Sequence, residues 1–376
     1  YEIRLSLVGS EMCIRDRSIA AAEEVRQRGV WKIYNTGNVE NDYRSIFETP
    51  DLTANPEILW FKMYDGDQVG NSVTRYLNTG GGNVGVTASL VDDYLTIDGR
   101  PLVGKELLDA KRVYPTELLP TVRDPRLSQT VALPGQRMQP AGAGNPYVVG
   151  FPSLAGDGSA FGTNMTGYVM LKHVQIDYTG DYISEYKGST PAIQFRYADV
   201  LLNYAEALAE KNGAANAGKI IEILHPLRER AGMPDIDFDR EYNTSAEYPF
   251  RNLDKYIQAV RRERRVEKAL EGRRVFDIMR WAAAEELIIG NRAHGALFIG
   301  SNLPEQYGPE LKYDQASGNN MFLTGSPDDA ERYILPVPPS TMPNGWQFKP
   351  NRDYLLPIQE RMINVMDGMW EQNPGW

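Results

Sequence analysis

Residues 258–281 read QAVRRERRVEKALEGRRVFDIMRW, a long and highly charged helix candidate. Glu263, Glu267 and Glu271 recur every fourth residue, so on one helix they form a single acidic stripe. Like charges at that spacing repel one another. Arg264, Arg265, Arg273 and Arg274 lie close enough in sequence to offset part of the repulsion, and a neighbouring helix can supply the rest. The stripe therefore predicts a helix locked to a partner by ion pairs, with Arg228 and Arg230 as candidate partners. The competing reading is a catalytic carboxylate pair, since glycosidases place two carboxylates about 5–9.5 Å apart across their substrate. Close helix packing leaves no room for a sugar there, so the ion-pair reading is preferred.

Upstream of the stripe, residues 196–211 (RYADVLLNYAEALAEK) put Val200, Tyr204, Ala207 and Leu208 on one helical face, and Asn212-Gly213 can end that helix. Residues 214–231 form a second helix stopped by Gly232, giving a hairpin of about the 34-residue tetratricopeptide length. Residues 253–270, Gly272 and residues 273–289 suggest a second hairpin. Pro226 removes one helix hydrogen bond, so a kink or a displaced start is expected near it. Two hairpins fall short of the roughly three repeats that a free-standing solenoid needs, so other parts of the chain must cover their open faces. Residues 57–64 (EILWFKMY) alternate as a strand, and the Gly- and Asn-rich stretch 66–86 reads as a long loop. Residues 101–188 are irregular with a few short strands, and the proline-rich tail from Ser301 is again irregular. The expected class is mainly α: tetratricopeptide-like hairpins at 195–290, a loop-rich region at 18–194 that opens with a partial helix, and an irregular region at 291–376 packing on the scaffold.

The formal net charge is -10, which argues against a nucleic-acid binder. The 21 tyrosines and 6 tryptophans fall largely in loop-like sequence, where recognition surfaces tend to use them. Cys13 is the one cysteine, so no disulfide framework or thiolate cluster forms. No apolar run reaches the roughly 18 residues of a membrane-spanning helix. Residues 1–17 lack the pattern of a signal peptide and read like translated sequencing adapter. With no initiator Met, this makes the chain an expected fragment whose true N-terminus is missing.

Several ordered stretches carry a family resemblance: LVDDYLTIDGRPL (90–102), RDPRL (123–127), TGYVMLKHV (166–174), RYADVLLNYAEA (196–207), LRERAGMP (227–234), RRERRVEKALEGRRVFDIMRW (261–281), YLLPI (354–358) and QNPGW (372–376). Together they resemble the SusD/RagB family of Bacteroidetes outer-membrane nutrient-binding lipoproteins. The resemblance implies a SusD-like helical fold and non-catalytic capture of oligosaccharide at the cell surface. It implies delivery to a SusC-like TonB-dependent transporter and attachment through a lipid anchor that this fragment lacks. It implies no enzyme activity and no cofactor. Peptide binding of the RagB type is the alternative, and a glycan hydrolase a more distant one.

No motif transfers the family's binding residues one by one, so candidates come from the chemistry of sugars. A pyranose presents an apolar C–H face rimmed by hydroxyls, which calls for flat aromatic side chains with Asn, Asp or Arg at the edge. Trp60 and Tyr64 sit four residues apart on the strand, and Arg75, Tyr76 and Asn78 lie in the following loop. Trp31 and Tyr34 are weaker candidates of the same kind. Gly80, Gly82 and Gly85 match G-x-G-x-x-G by spacing, but no buried strand precedes them as a dinucleotide site requires. His173, His225 and His294 lack metal-ligand spacing, and Asp65-Gly66-Asp67 lacks the remainder of a calcium loop.

Overall fold

The computed structural model describes residues 8–77, 82, 84–139, 148–154, 163–181, 184–367 and 369–376. The chain forms two compact units, Tyr1–Ala269 with His294–Pro336, and Leu270–Ala293 with Val337–Trp376. The larger unit contains α1 (Val8–Arg28), α2 (Asp42–Glu48), β1 (Ile58–Lys62), α3 (Val73–Leu77), α4 (Ala88–Asp93), α5 (Gly104–Arg112) and α6 (Arg126–Thr130). It continues with β2 (Ala192–Arg196), α7 (Tyr197–Arg230) and α8 (Lys255–Glu267). The smaller unit begins with α9 (Arg274–Arg280) and α10 (Ala284–Leu287). The chain returns to the larger unit for β3 (Leu297–Ile299), β4 (Phe322–Leu323) and β5 (Arg332–Leu335), and ends in the smaller with α11 (Pro350–Asp353) and α12 (Glu360–Val365). β1 and β2 pair antiparallel, and β5 lies between β3 and β4. Among the described residues the fold is mainly helical with two small sheets; the sequence predicts the mainly helical class with a few short strands.

α7 is two helices meeting at Asn212, whose φ of -169° and ψ of 87° are not helical. The Asn212 side chain accepts the Ala215 amide at 3.1 Å and so caps the second segment. Arg26 of α1 shows that the chain reverses there. Its guanidinium lies over the Tyr204 ring and also donates to Glu222 at 2.9 Å. A straight helix would hold those two residues roughly 27 Å apart. Leu201, Leu202, Ala205 and Leu208 from one arm meet Ile220, Ile223, Leu224 and Leu227 from the other, with Ala259 and Val260 of α8 in the same cluster. Each leucine, isoleucine or valine among them, fully buried, stabilises by about 1.5–3 kcal/mol. A Cβ at Gly213 would come 2.4 Å from that of Tyr256, so only glycine permits α8 to approach this closely. The helix stays regular through Pro226, where a kink or displaced start was expected. The hydrogen bond that proline removes belongs to Glu222, which faces solvent, so its carbonyl can be hydrated.

The carboxylates of α8 sit in a buried ionic network. Arg126 bonds Glu263 at 2.6 Å, Glu267 at 2.9 Å and Asp124 at 2.7 Å. Arg196 reaches Glu57 at 2.7 Å and Glu267 at 2.6 Å. Arg230 pairs with the same two glutamates, and Arg228 joins Glu263 at 2.6 Å to Glu241 at 3.1 Å. All of these side chains are within 2% of full burial. Burial alone would raise the Glu267 pKa, but the fields of Arg230, Arg196 and Arg126 prevail and hold it well below the carboxylate range. Glu263 is lowered in the same way, with Arg126 and Arg228 outweighing its burial.

Three expectations need correction. Arg264 and Arg265 point away from the stripe, to Asn203 and Asp93 respectively, and the neutralising arginines come from α6, β2 and α7. The stripe itself has two members. α8 ends at Glu267, and Leu270 and Gly272 adopt positive φ of 61° and 70°, so Glu271 leaves the helix axis. Where one helix over 273–289 was expected, Ala282 at φ 49° separates α9 from α10. The end of α8 is closed by a cation. Lys172 Nζ donates to the Ala269 carbonyl and the Tyr43 hydroxyl, both at 2.7 Å, and Tyr43 donates to the Glu267 carbonyl at 2.9 Å.

In the loop-rich part, Glu117 is fully buried and accepts the Tyr168 hydroxyl at 2.8 Å, while its other oxygen has no hydrogen-bond partner among the described residues. Burial pushes its pKa up to about 7, against the opposing pull of Lys111.

Glu267→Ala strands Arg196 and Arg230 in the core and should cost about 3–5 kcal/mol in urea denaturation; a loss below about 1 kcal/mol would show that the network is not structural. Glu117 titrates with the opposite sign from Glu263 and Glu267. Its folded pKa lies above the ordinary glutamate value, so its contribution declines as pH rises from about 4.3 to about 7, on the order of a few kcal/mol. Glu117→Gln should flatten that limb of a stability–pH curve and leave intact the acid limb below about pH 4, where the lowered Glu263 and Glu267 take up protons. An unchanged slope between pH 4.5 and 7 would refute this assignment.

Candidate functional site

From Trp60 onward the side chains of β1 alternate. Ile58 is buried and Phe61 packs on the Tyr43–Phe47 cluster, while Trp60 and Lys62 face outward. The register against β2 is irregular on both sides of Trp60, pairing Trp60 with Phe195 and Phe61 with Ile193. The two outward rings form a stacked cross-strand pair, with centroids 6.1 Å apart and planes 25° from parallel. Trp60 is 62% exposed and Phe195 48%, so the pair is an open apolar plate.

The chain leaves β1 into a tight turn, where Asp65 exchanges backbone contacts with Val69 and Gln68 and its carboxylate accepts the Asp67 amide at 2.8 Å. This turn packs against the 186–188 backbone. Asn71 and Gly188 exchange two hydrogen bonds, at 2.9 and 2.8 Å, and the Tyr178 hydroxyl donates to the Lys187 carbonyl. Between the two segments lies a cavity of about 520 Å³, lined by Tyr64, Tyr178, Met63, Asp51, Asp65, Asp67, Asp181, Lys187 and neighbouring residues. That volume falls within the range of small-ligand sites, about 300–1,000 Å³. The electrostatics are acidic. Burial raises the Tyr178 pKa, and Asp67, Asp181 and Asp65 add to the effect by disfavouring a phenolate. Thr53, donating through its hydroxyl and its amide, holds the Asp51 carboxyl below the usual range. Lys187 lies 3.6 Å from Asp67, and the Lys62 ammonium sits 4.7 Å from the Tyr64 ring centroid.

Of the residues expected to bind, Tyr64 lines the cavity and Trp60 lies on the strand that leads into it. Arg75 and Tyr76 belong to α3, not to a loop. Arg75 pairs with Glu185 at 3.3 Å and its guanidinium stands 5.9 Å from the Tyr76 ring centroid. Trp31 is half-buried against the helical core. Tyr34 packs on the Tyr43–Phe47 cluster, and its amide donates to Glu57 at 3.0 Å. Asn78 and Gly80 lie outside the described residues. The G-x-G-x-x-G stretch follows helix α3, which is not the strand a dinucleotide site requires. Among the described residues no group of His, Cys, Asp or Glu is arranged to hold a metal ion.

Phe195, Tyr178, Asp181 and Lys187 escape the sequence reading. Phe195 had a signal: residues 192–196 (AIQFR) are a strand, and pairing it with 58–62 sets two aromatics side by side. The other three come from a turn-rich stretch with no period from which to infer proximity.

The sequence profile of the SusD family matches residues 56–376. A search of curated proteins finds no match. Among solved structures, a SusD-like protein from Bacteroides fragilis aligns at 22% identity and TM-score 0.63, over 95% of this chain and 61% of that one. A SusD-like carbohydrate-binding protein from the same species aligns at 23% identity and TM-score 0.63, over 94% and 61%. The chain thus spans about three fifths of the length of these structures.

The cavity wall allows a direct test. A Cβ at Gly66 would stand 2.1 Å from the Lys187 carbonyl oxygen. Gly66→Ala should therefore push the two segments apart and cost about 1–3 kcal/mol of stability, read as a lowered melting temperature. A variant that melts like the parent would show that the turn and the 186–188 segment are not packed as described.

Proposed function

The chain belongs to the SusD family, and from that premise we propose that it captures oligosaccharide or polysaccharide at the outer-membrane surface, without cleaving it, for delivery to a SusC-like TonB-dependent transporter. The observation that carries this reading is the open Trp60–Phe195 plate on the strand that runs into the Tyr64–Tyr178 cavity. Sugar rings stack on such plates through their C–H faces, at about 0.5–1.5 kcal/mol per contact beyond burial. Carboxylates such as those of Asp65, Asp67 and Asp181 accept hydrogen bonds from ring hydroxyls. A few such contacts support micromolar to millimolar affinity, roughly -8 to -4 kcal/mol, which suits a protein that must release its cargo. No helix among the described residues is long and apolar enough to cross a membrane; a lipid anchor is the proposed means of attachment.

The non-catalytic reading draws support from the two carboxylates that first suggest chemistry. Glu263 and Glu267 are sealed among arginines with no path for substrate. A second reading, capture of basic peptides, is favoured by one observation: four aspartates and one lysine line the cavity.

Electrophoresis through gels containing different polysaccharides separates these readings. At least one glycan should retard the protein, and Trp60→Ala should weaken that retardation about fivefold, the equivalent of about 1 kcal/mol. Retardation by none of them, together with measurable binding of lysine-rich peptides, would transfer the site to the peptide reading. Release of reducing ends by the purified protein would overturn the claim that it does not cleave.

A further inference from the structure

The smaller unit holds a second cavity, of about 570 Å³, formed where residues 341–347 (TMPNGWQ) fold back over the end of α10. The loop is fixed on both sides. The Gly290 amide donates to the Trp346 carbonyl and the Trp346 amide to the Asn291 carbonyl, each at 2.9 Å. Arg292 donates to the Pro343 carbonyl, and Gln347 donates to the Asn344 carbonyl at 3.0 Å. Gly345, at φ 67°, passes so close to Gly290 that a Cβ would lie 2.3 Å from its carbonyl oxygen. The walls are therefore set by backbone pairing and do not wait for a ligand to order them.

The lining combines apolar bulk from Ile288, Met342, Pro343 and Trp346 with the neutral polar groups of Thr341 and Asn344. Trp346 is 37% exposed. Among the described residues the Thr341 hydroxyl and the Asn344 side-chain amide have no hydrogen-bond partner. No ionisable side chain among the described residues lines the cavity. A preformed hollow of this size, with an indole, a proline and two uncommitted neutral polar groups, suits an uncharged ligand with one apolar face and a hydroxylated rim. A charged ligand would lose hydration there and find no counter-charge.

We propose that this cavity is a second saccharide-binding site, selective for neutral sugar rings, with Trp346 as the stacking surface and Thr341 and Asn344 as hydroxyl partners. It rests on the saccharide reading for its ligand class but on none of the residues of the first site.

The test uses the full chain labelled with 19F-tryptophan, with the Trp60 and Trp346 resonances assigned from Trp60→Phe and Trp346→Phe. The probes are maltoheptaose, cellohexaose, mannohexaose and xylohexaose, with polygalacturonate and decaproline as contrasts. A neutral oligosaccharide should shift the Trp346 resonance saturably, in the parent and equally in Trp60→Ala. Asn344→Ala, which leaves the indole in place, should weaken that response about fivefold. In polysaccharide gels Trp346→Ala should lose part of the retardation, and the double variant with Trp60→Ala should lose nearly all of it. A Trp346 resonance that stays still while sugars move Trp60 overturns the second site and leaves the first. Movement of Trp346 alone upholds the second site and removes the first. If neither moves, the saccharide reading falls and takes this site with it. A response to decaproline but to no sugar reassigns the cavity to peptide.

Discussion

Glu267 carries the architecture. Its carboxylate lies against Arg126, Arg196 and Arg230, and its backbone carbonyl accepts from Tyr43. Those partners come from α6, β2, α7 and α2, so one residue, three times through its charge and once through its carbonyl, brings four segments to the same helix end. Burying ions is costly, and this arrangement succeeds because the charges are matched: Arg126, Arg196, Arg228, Arg230 and Arg262 face Glu57, Asp124, Glu241, Glu263 and Glu267. Replacing the whole set with packed hydrocarbon could be as stable, whereas removing one member leaves its partners uncompensated. The network therefore selects one way of assembling these segments more than it adds net stability.

The scaffold was legible where periodicity carried it. Val200, Tyr204 and Leu208 fix one arm of α7, Asn212-Gly213 marks its reversal, and the four-residue spacing of Glu263 and Glu267 announces a helix that needs arginine partners. Arg228 and Arg230 could be named from their proximity in the same helical region. Arg126 and Arg196 could not, because Arg126 lies in a short segment with no register and Arg196 stands at a strand–helix junction, outside the periodic face of the helix. Glu271 shows a related limit: Gly272 marks a break, but the four-residue spacing does not show that the helix has already ended before Glu271.

The candidate site was legible only along its strand. Trp60 and Tyr64 follow from alternation in residues 57–64, but half of the plate and nearly half of the cavity come from 178–195, more than a hundred residues on. Trp31 and Tyr34 illustrate the opposite difficulty. An aromatic residue in loop-like sequence can serve a core as readily as a surface, and only the path of α1 and α2 decides which. The two cavities also differ in kind, one walled by aspartates and the other with no ionisable lining, a contrast hidden in the bulk net charge.

The β1–β2 pair has one more consequence. Glu57 and Arg196, joined by a buried ion pair at 2.7 Å, stand three residues before Trp60 and one after Phe195. The alignment of the two exposed rings is thus clocked by charges that no ligand can reach. A random-mutation screen for lost binding would recover Glu57 and Arg196 beside Trp60 and Phe195, and the hits alone would not tell the hand from the wrist that holds it.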